Sequence, residues 1–216
     1  MMKTSMKQNE TTGRITKKSG KGLSDGVISE LSAFFTVKPG HVEELRAALG
    51  RFAENLHNID QEEIQRVGLR DTRHVIFNDG RQLVWITAFE SDWDPYIDDA
   101  LQLINITNFL DWMQHTVEGD KVVEWVKSEG GVEKFDPNDP AIKDTIKRAS
   151  GQLKAILQSV QVQASTYFNS LSGLTMPQIM KAQRLAQAFQ QVLDDPAAEE
   201  ALQHPALKPL LEQAAY

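Results

Sequence analysis

Five histidines, a dense group of aspartates and four tryptophans are the residues of this chain whose chemistry reaches beyond packing. His74 stands inside the apolar run TRHVIFN. An imidazole there is a candidate general base, because its ordinary pKa lies near neutrality. A two-residue turn at Asp79-Gly80 would set His74 directly opposite Trp85, whereas a three-residue turn would set Arg73 there. In either register a basic group and an indole share one face of a sheet. Trp93 and Tyr96 flank the start of the next helix. They read either as the rim of a pocket or as a staple tying the helix entry to the core. His74 is thus the catalytic candidate, with Arg73, Trp85, Trp93 and Tyr96 as candidate ligand-binding residues.

Metal chemistry finds little support in the spacing. His41, His57, His74, His115 and His204 show no close pairing, and no HExxH or carboxylate–histidine motif occurs. Asp92, Asp94, Asp98 and Asp99 lie close together, but Asp94 reads as a helix cap, and Asp98 and Asp99 suit the positive end of the helix dipole. The glycine and terminal glutamate of a calcium loop are missing. The chain has no cysteine, hence no disulfide, thiolate nucleophile or thiolate metal site. There is no nucleophile elbow, phosphate loop or dinucleotide fingerprint, and Gly13, Gly20 and Gly22 are spaced wrongly for a phosphate site.

The elements that must position these residues are more legible. Ile28 to Val37 reads as a strand ended by Lys38-Pro39-Gly40. Val42, Leu45, Leu49, Phe52 and Leu56 then recur at helical spacing. Residues 58–71 are polar and read as a loop with room for a helical turn. From Thr72 to Phe89 two apolar runs flank Asp79-Gly80, the strongest short-range hairpin signal. Asp94-Pro95 opens a second helix. Helical pieces follow within 105–135, and Asp139-Pro140 opens another helix containing Leu153, Ile156 and Leu157. Alternation in VQVQASTYF, Val160 to Phe168, predicts a half-exposed strand. Thr175-x-x-Gln178 is a capping box before a helix predicted to bury Ile179, Leu185, Ala186, Phe189 and Leu193. The last twenty residues, broken by Pro196, Pro205 and Pro209, form helical turns or a tail.

The order β-α-β-β-α-(insert)-β-α predicts an α+β fold, a ferredoxin-like βαββαβ antiparallel sheet with helices on one face, a helical insert and C-terminal helices. The near-continuous apolar runs LSAFFTV and LVWITAF belong at its centre, and the more polar runs at its edges. The domain is expected over 27–195 with its insert at 105–157, preceded by a disordered basic tail at 1–26 and followed by a helical tail at 196–216. Two helices cover only one face of such a sheet. The other needs a cover, either a second copy in an isologous dimer or the 105–135 insert.

Charge and composition narrow the partners. The formal charge is −7, while residues 1–26 carry six basic against two acidic side chains, so the rest is strongly acidic. An acidic body argues against nucleic-acid binding. No apolar run approaches the ~20 residues of a membrane span, and the N-terminus lacks the apolar core of a secretory signal. Together with the missing cysteines, this points to a cytoplasmic protein.

LSAFFTVKPGHVEEL, followed by RHVIFNDGRQLVWITAFESDWDPYIDD, resembles the dimeric α+β barrel superfamily of ferredoxin-like proteins, and within it a bacterial group with a DWDPYIDD-like motif. The likeness covers about residues 28–104 well and 158–193 loosely. That superfamily includes cofactor-free monooxygenases of the antibiotic-biosynthesis type, chlorite dismutases and dye-decolorising peroxidases. Its haem enzymes hold iron through a histidine in the C-terminal part of the domain. The helix at 176–195 here has none, so no cofactor is expected. The resemblance implies a homodimer that binds a small apolar or amphipathic molecule, with cofactor-independent oxidation as the associated chemistry. The other reading is a non-catalytic accessory protein that binds a partner through its sheet edge or its insert.

Overall fold

Alternation along ISELSAFFT sends Leu31, Ala33 and Phe35 to one side of a strand and Glu30, Ser32, Phe34 and Thr36 to the other. That strand lies in the middle of a mixed α and β fold. The computed structural model describes residues 17–128 and 143–215. These fall into two compact units, Met1–Gly173 and Leu174–Tyr216.

The first unit runs β1 (Ser24–Asp25), β2 (Ile28–Thr36), α1 (Val42–Asn58), α2 (Gln61–Val67), β3 (Leu69–Phe77), β4 (Gln82–Phe89), α3 (Trp93–Ile104), α4 (Ile106–Met113), α5 (Asp120–Ser128) and α6 (Lys143–Val160). The four strands form one antiparallel sheet in the order β1-β2-β4-β3. The two apolar runs, β2 and β4, occupy its interior. Asp79 and Gly80 both have positive φ, at 53° and 78°, and the Arg81 N–H donates to Asn78 O at 3.1 Å. This two-residue turn matches the twist of the strands it joins. A side chain on Gly80 would put its Cβ 2.9 Å from Val42 Cγ2.

The inner face of the sheet carries Leu31, Ala33, Phe35, Leu83, Trp85 and Phe89 into a core shared with Leu45, Phe52, Tyr96, Ile97, Phe109 and Trp112 from the helices. The insert joins this helical layer: α4 packs on α1 and α3, and α5 lies between α4 and α6. A clasp holds it to the end of β2. Thr36 donates through its N–H and Oγ1 to the Glu118 carboxylate at 2.8 and 2.9 Å, Val117 N–H donates to Thr36 O, and Lys38 pairs with Asp120.

Several expectations are corrected. Val160 to Phe168 is not a strand. α6 continues to Val160, and only Gln161 forms a bridge, with Ala33, beside a Val162 N–H bond to Ser32 O at 2.8 Å. The reason is competition for the outer edge of β2. β1 and Leu23 already bond to Ile28, Ser29 and Glu30 at one end, and Thr116 and Val117 to Val37 and Thr36 at the other, so only the middle of the edge is left for a bridge. The fourth strand of the sheet is instead β1, inside the stretch expected to be a disordered tail. Residues 17–26 are held in place: Trp93 N–H donates to Lys18 O, Gln161 Nε2 to Ser19 O at 3.1 Å, and Leu23 N–H to the buried Glu30 carboxylate at 2.9 Å. Gly22 permits this approach, since a Cβ there would meet Glu30 O at 1.9 Å. Residues 1–16 and the Asp139-Pro140 helix start lie outside the described residues.

The helix after β4 also begins earlier than expected. Tyr96 N–H closes on Asp92 O, so Asp92 occupies the cap position and Asp94 lies within α3. Asp94 and Asp98 instead hold Lys154 of α6, at 3.0 and 2.6 Å. In the second unit the Thr175 capping box forms as expected and opens α7 (Met176–Leu193). None of Ile179, Leu185, Ala186, Phe189 and Leu193 is buried, however, and Leu185 is 66% exposed. The rest of this unit is short turns with α8 (Glu199–Leu202) and α9 (Lys208–Ala214), too little chain to enclose an apolar stripe.

Candidate functional site

The hairpin register places His74 directly opposite Trp85, as a two-residue turn requires. Both side chains point inward, with ring planes 5° apart and centroids separated by 5.9 Å. Phe52 of α1 meets the imidazole edge-on at 5.3 Å, and Trp112 of α4 meets it at 5.2 Å. Phe109 closes the nest against Phe52 and Trp85. Trp85 Nε1 donates to Thr72 Oγ1 at 2.9 Å. Among the described residues, neither His74 Nε2 nor Trp112 Nε1 has a hydrogen-bond partner, although both atoms are shut off from solvent. Burial alone drives the His74 pKa down to about 4, so the ring is neutral at physiological pH.

The remaining candidates do not join this nest as a ligand lining. Arg73 is one residue out of phase, exposed on the opposite face of the sheet. Trp93 is fully buried at the mouth of α3, next to Gly20, as a staple rather than a rim. Tyr96 stacks on Phe89 at 4.2 Å. Its hydroxyl lies 3.1 Å from Thr87 Oγ1. Because Thr87 donates its proton to Asp71 O at 2.9 Å, Tyr96 is the donor in that contact. Burial raises the Tyr96 pKa to about 12, which keeps the phenol protonated for this bond. The space between Tyr96, Leu56, Ile64, Val67, Leu69 and Ile104 amounts to ≈ 10 Å³, about one water's worth.

The outer face of the sheet differs. Across β2, β4 and β3 its rows read Glu30, Ala88 and Asp71; Ser32, Ile86 and Arg73; Phe34, Val84 and Val75; then Thr36, Gln82 and Phe77. The first row is covered over β2 and β4, while Asp71 on β3 is exposed. Glu30 and Ala88 are buried, and Tyr167 stands close enough to Asp71, Glu30 and Asp25 for their charges to raise its pKa, after the larger effect of burial. The third and fourth rows are open at their outer positions, although Val84 in the middle of the third is only 8% exposed. Phe34 is 39% and Val75 43% exposed, and Phe34 and Phe77 meet edge-to-face at 6.3 Å.

One pairing escaped the sequence spacing. His41, just before α1, and His115, just after α4, face each other with their Nδ1 atoms 3.1 Å apart. Seventy-four positions separate them, and no local pattern links them. The packing of α4 on α1, the Val37–Thr116 bridge and the Lys38 N–H bond to His115 O, which dock the insert on the end of β2, bring them together. Among the described residues no group of three or more potential ligands could hold a metal ion. No helix among them is long and apolar enough to cross a membrane. No family model matches the chain, and neither a curated protein nor a solved structure does.

Proposed function

We propose that this protein is a non-catalytic interaction domain that pairs with a second copy of itself through the outer face of its sheet. The observation that carries this reading is the contrast between the two faces: the inner one is filled, while Phe34, Val75 and Phe77 form an apolar strip over the third and fourth rows of the outer one with no cover among the described residues. The open rows hold no acid or base, whereas the chain as a whole is acidic. A two-fold axis would therefore lay apolar row on apolar row without bringing like charges together. The β-α-β-β-α order, with β2 and β4 central, supports a ferredoxin-like arrangement in which the last strand is reduced to the bridge at Gln161.

Sedimentation equilibrium tests this reading. A dimer is expected for the unaltered chain, and a monomer of unchanged circular dichroism for Phe34→Lys and for Val75→Lys. A monomer of the unaltered chain at tens of micromolar refutes it.

The unpaired His74 Nε2 and Trp112 Nε1 favour a second reading, in which a small amphipathic molecule enters the aromatic nest, gives up a proton to His74 and passes its electrons to dioxygen, without a cofactor. Native mass spectrometry of the purified protein would then show a reproducible extra mass, lost in His74→Ala and Trp85→Ala. A bare chain, or a bound mass indifferent to both substitutions, refutes it.

A further inference from the structure

The end of β2 meets the insert at a point where two histidines touch. His41 Nδ1 and His115 Nδ1 are 3.1 Å apart, while their ring centroids are 5.4 Å apart. That combination sets the rings end to end, with the two nitrogens on the line between the centroids. A chelated metal ion would instead need the two lone pairs to converge on a third point. End-to-end nitrogens suit a hydrogen bond, in which one ring donates and the other accepts. The two rings must then hold opposite tautomers when both are neutral, or share a proton when one is charged.

We infer that His41 and His115 form a latch that accepts one proton while closed and is forced open by a second. Two imidazolium rings have no lone pair to offer each other, and each would aim an N–H at the other's N–H. The surroundings are mixed in sign. Lys38, on the same loop as His41, opposes added charge, although Asp120 of α5 pairs with it. Asp111 of α4 and Glu44 of α1 favour charge, but Asp111 is already held by both Nε and Nη2 of Arg51, at 2.8 and 2.9 Å. For His115 the balance lies on the side of the neutral ring: burial lowers its pKa most, followed by the charge of His41.

The latch closes a defined joint. Lys38 N–H donates to His115 O at 3.0 Å, and Lys38 Nζ donates to Gln114 O at 2.7 Å. The first of these bonds shares a residue with the pair, so parting the rings loosens the seam between the loop after β2 and the turn after α4. The result is a pH-dependent opening at the point where the insert is clasped to the sheet.

Nitrogen-detected NMR of the two rings tests the idea in the intact chain. At about pH 8 one ring should carry its proton on Nδ1 and the other on Nε2. On acidification the pair should titrate in two steps more than about one pK unit apart. Exchange of the Lys38 amide should accelerate through the second step. In His41→Gln and His115→Gln the remaining histidine should titrate in one step. Matching Nε2–H tautomers in the unaltered chain, or two single titrations indifferent to the partner's replacement, would overturn the latch. The tautomer measurement needs no substitution, so a variant that fails to fold cannot obscure it.

Discussion

Acidification should destabilise the first unit through His74 well before its carboxylates are exhausted. The ring is neutral and enclosed, and its pKa of about 4 lies below the ordinary 6.5. For a base, a depressed folded value means that the unfolded chain binds the proton more readily, so stability falls as pH drops. His74 contributes no pH dependence above about pH 6.5. The loss grows from there to about pH 4 and then levels off. The gap between the two values, at about 1.4 kcal/mol per pH unit, amounts to about 3 kcal/mol. Against a typical total of about 5–15 kcal/mol, this is a large share. The informative variant is His74→Phe, which keeps a flat ring among Phe52, Trp85 and Trp112 and removes both the titration and the unpaired Nε2. The assay is urea unfolding followed by tryptophan fluorescence. All four tryptophans precede residue 126, so the signal reports on the first unit alone. Other groups titrate equally in both proteins and cancel in the difference. The variant should gain about 3 kcal/mol on the unaltered chain between about pH 7 and pH 4. Parallel stability curves would refute the reasoning.

Two further predictions rest on geometry. Arg70 and Glu90 pair at 2.6 Å with side chains only 8% and 13% exposed. Glu90→Gln should therefore cost about 3–5 kcal/mol, and Arg70→Met combined with Glu90→Leu should recover most of it, both read from urea midpoints; an effect below about 1 kcal/mol for the single change would contradict this. Gly80→Ala places a methyl group against Val42 at positive φ, so it should destabilise by about 1–3 kcal/mol, and an unchanged thermal midpoint would show that the turn can relax.

The hairpin and the central placement of β2 and β4 were legible because each is decided locally, whereas the sequence admits two turn lengths and only the structure fixes the register. Asp-Gly marks the turn, and apolar runs seek the middle of a sheet. The facing of His74 and Trp85, rather than of Arg73 and Trp85, is one of two alternatives that the observed two-residue turn decides. What stayed illegible depends on competition between distant segments. VQVQASTYF alternates as a strand should, yet β1 and Thr116 already occupy both ends of the edge it would have joined. Lys17–Gly26 has the composition of a solvated tail, yet Glu30 and Trp93 supply buried partners for its backbone. Arg73, Trp93 and Tyr96 were grouped with His74 by sequence proximity, but strand alternation sends Arg73 to the other face, and burial makes the two aromatics part of the core. The His41–His115 contact is a by-product of docking the insert, which no spacing rule encodes.

The outer edge of β2 is closed by pieces from three distant parts of the chain: β1, the bridge at Thr116 and the bridge at Gln161. During synthesis these arrive at very different times. The hairpin and β2 can pair once residue 89 is free, but the middle of that edge stays bare until residue 161 emerges, more than seventy residues later. Over that interval the nascent sheet offers the unpaired backbone groups of one of its two apolar central strands to any neighbouring chain. Closure by such remote contacts also places the last step of folding at the end of the unit, where loop-closure entropy makes it slow. A ribosome pause, or a truncation between residues 128 and 161, would accordingly leave an aggregation-prone half-built sheet rather than a smaller stable domain.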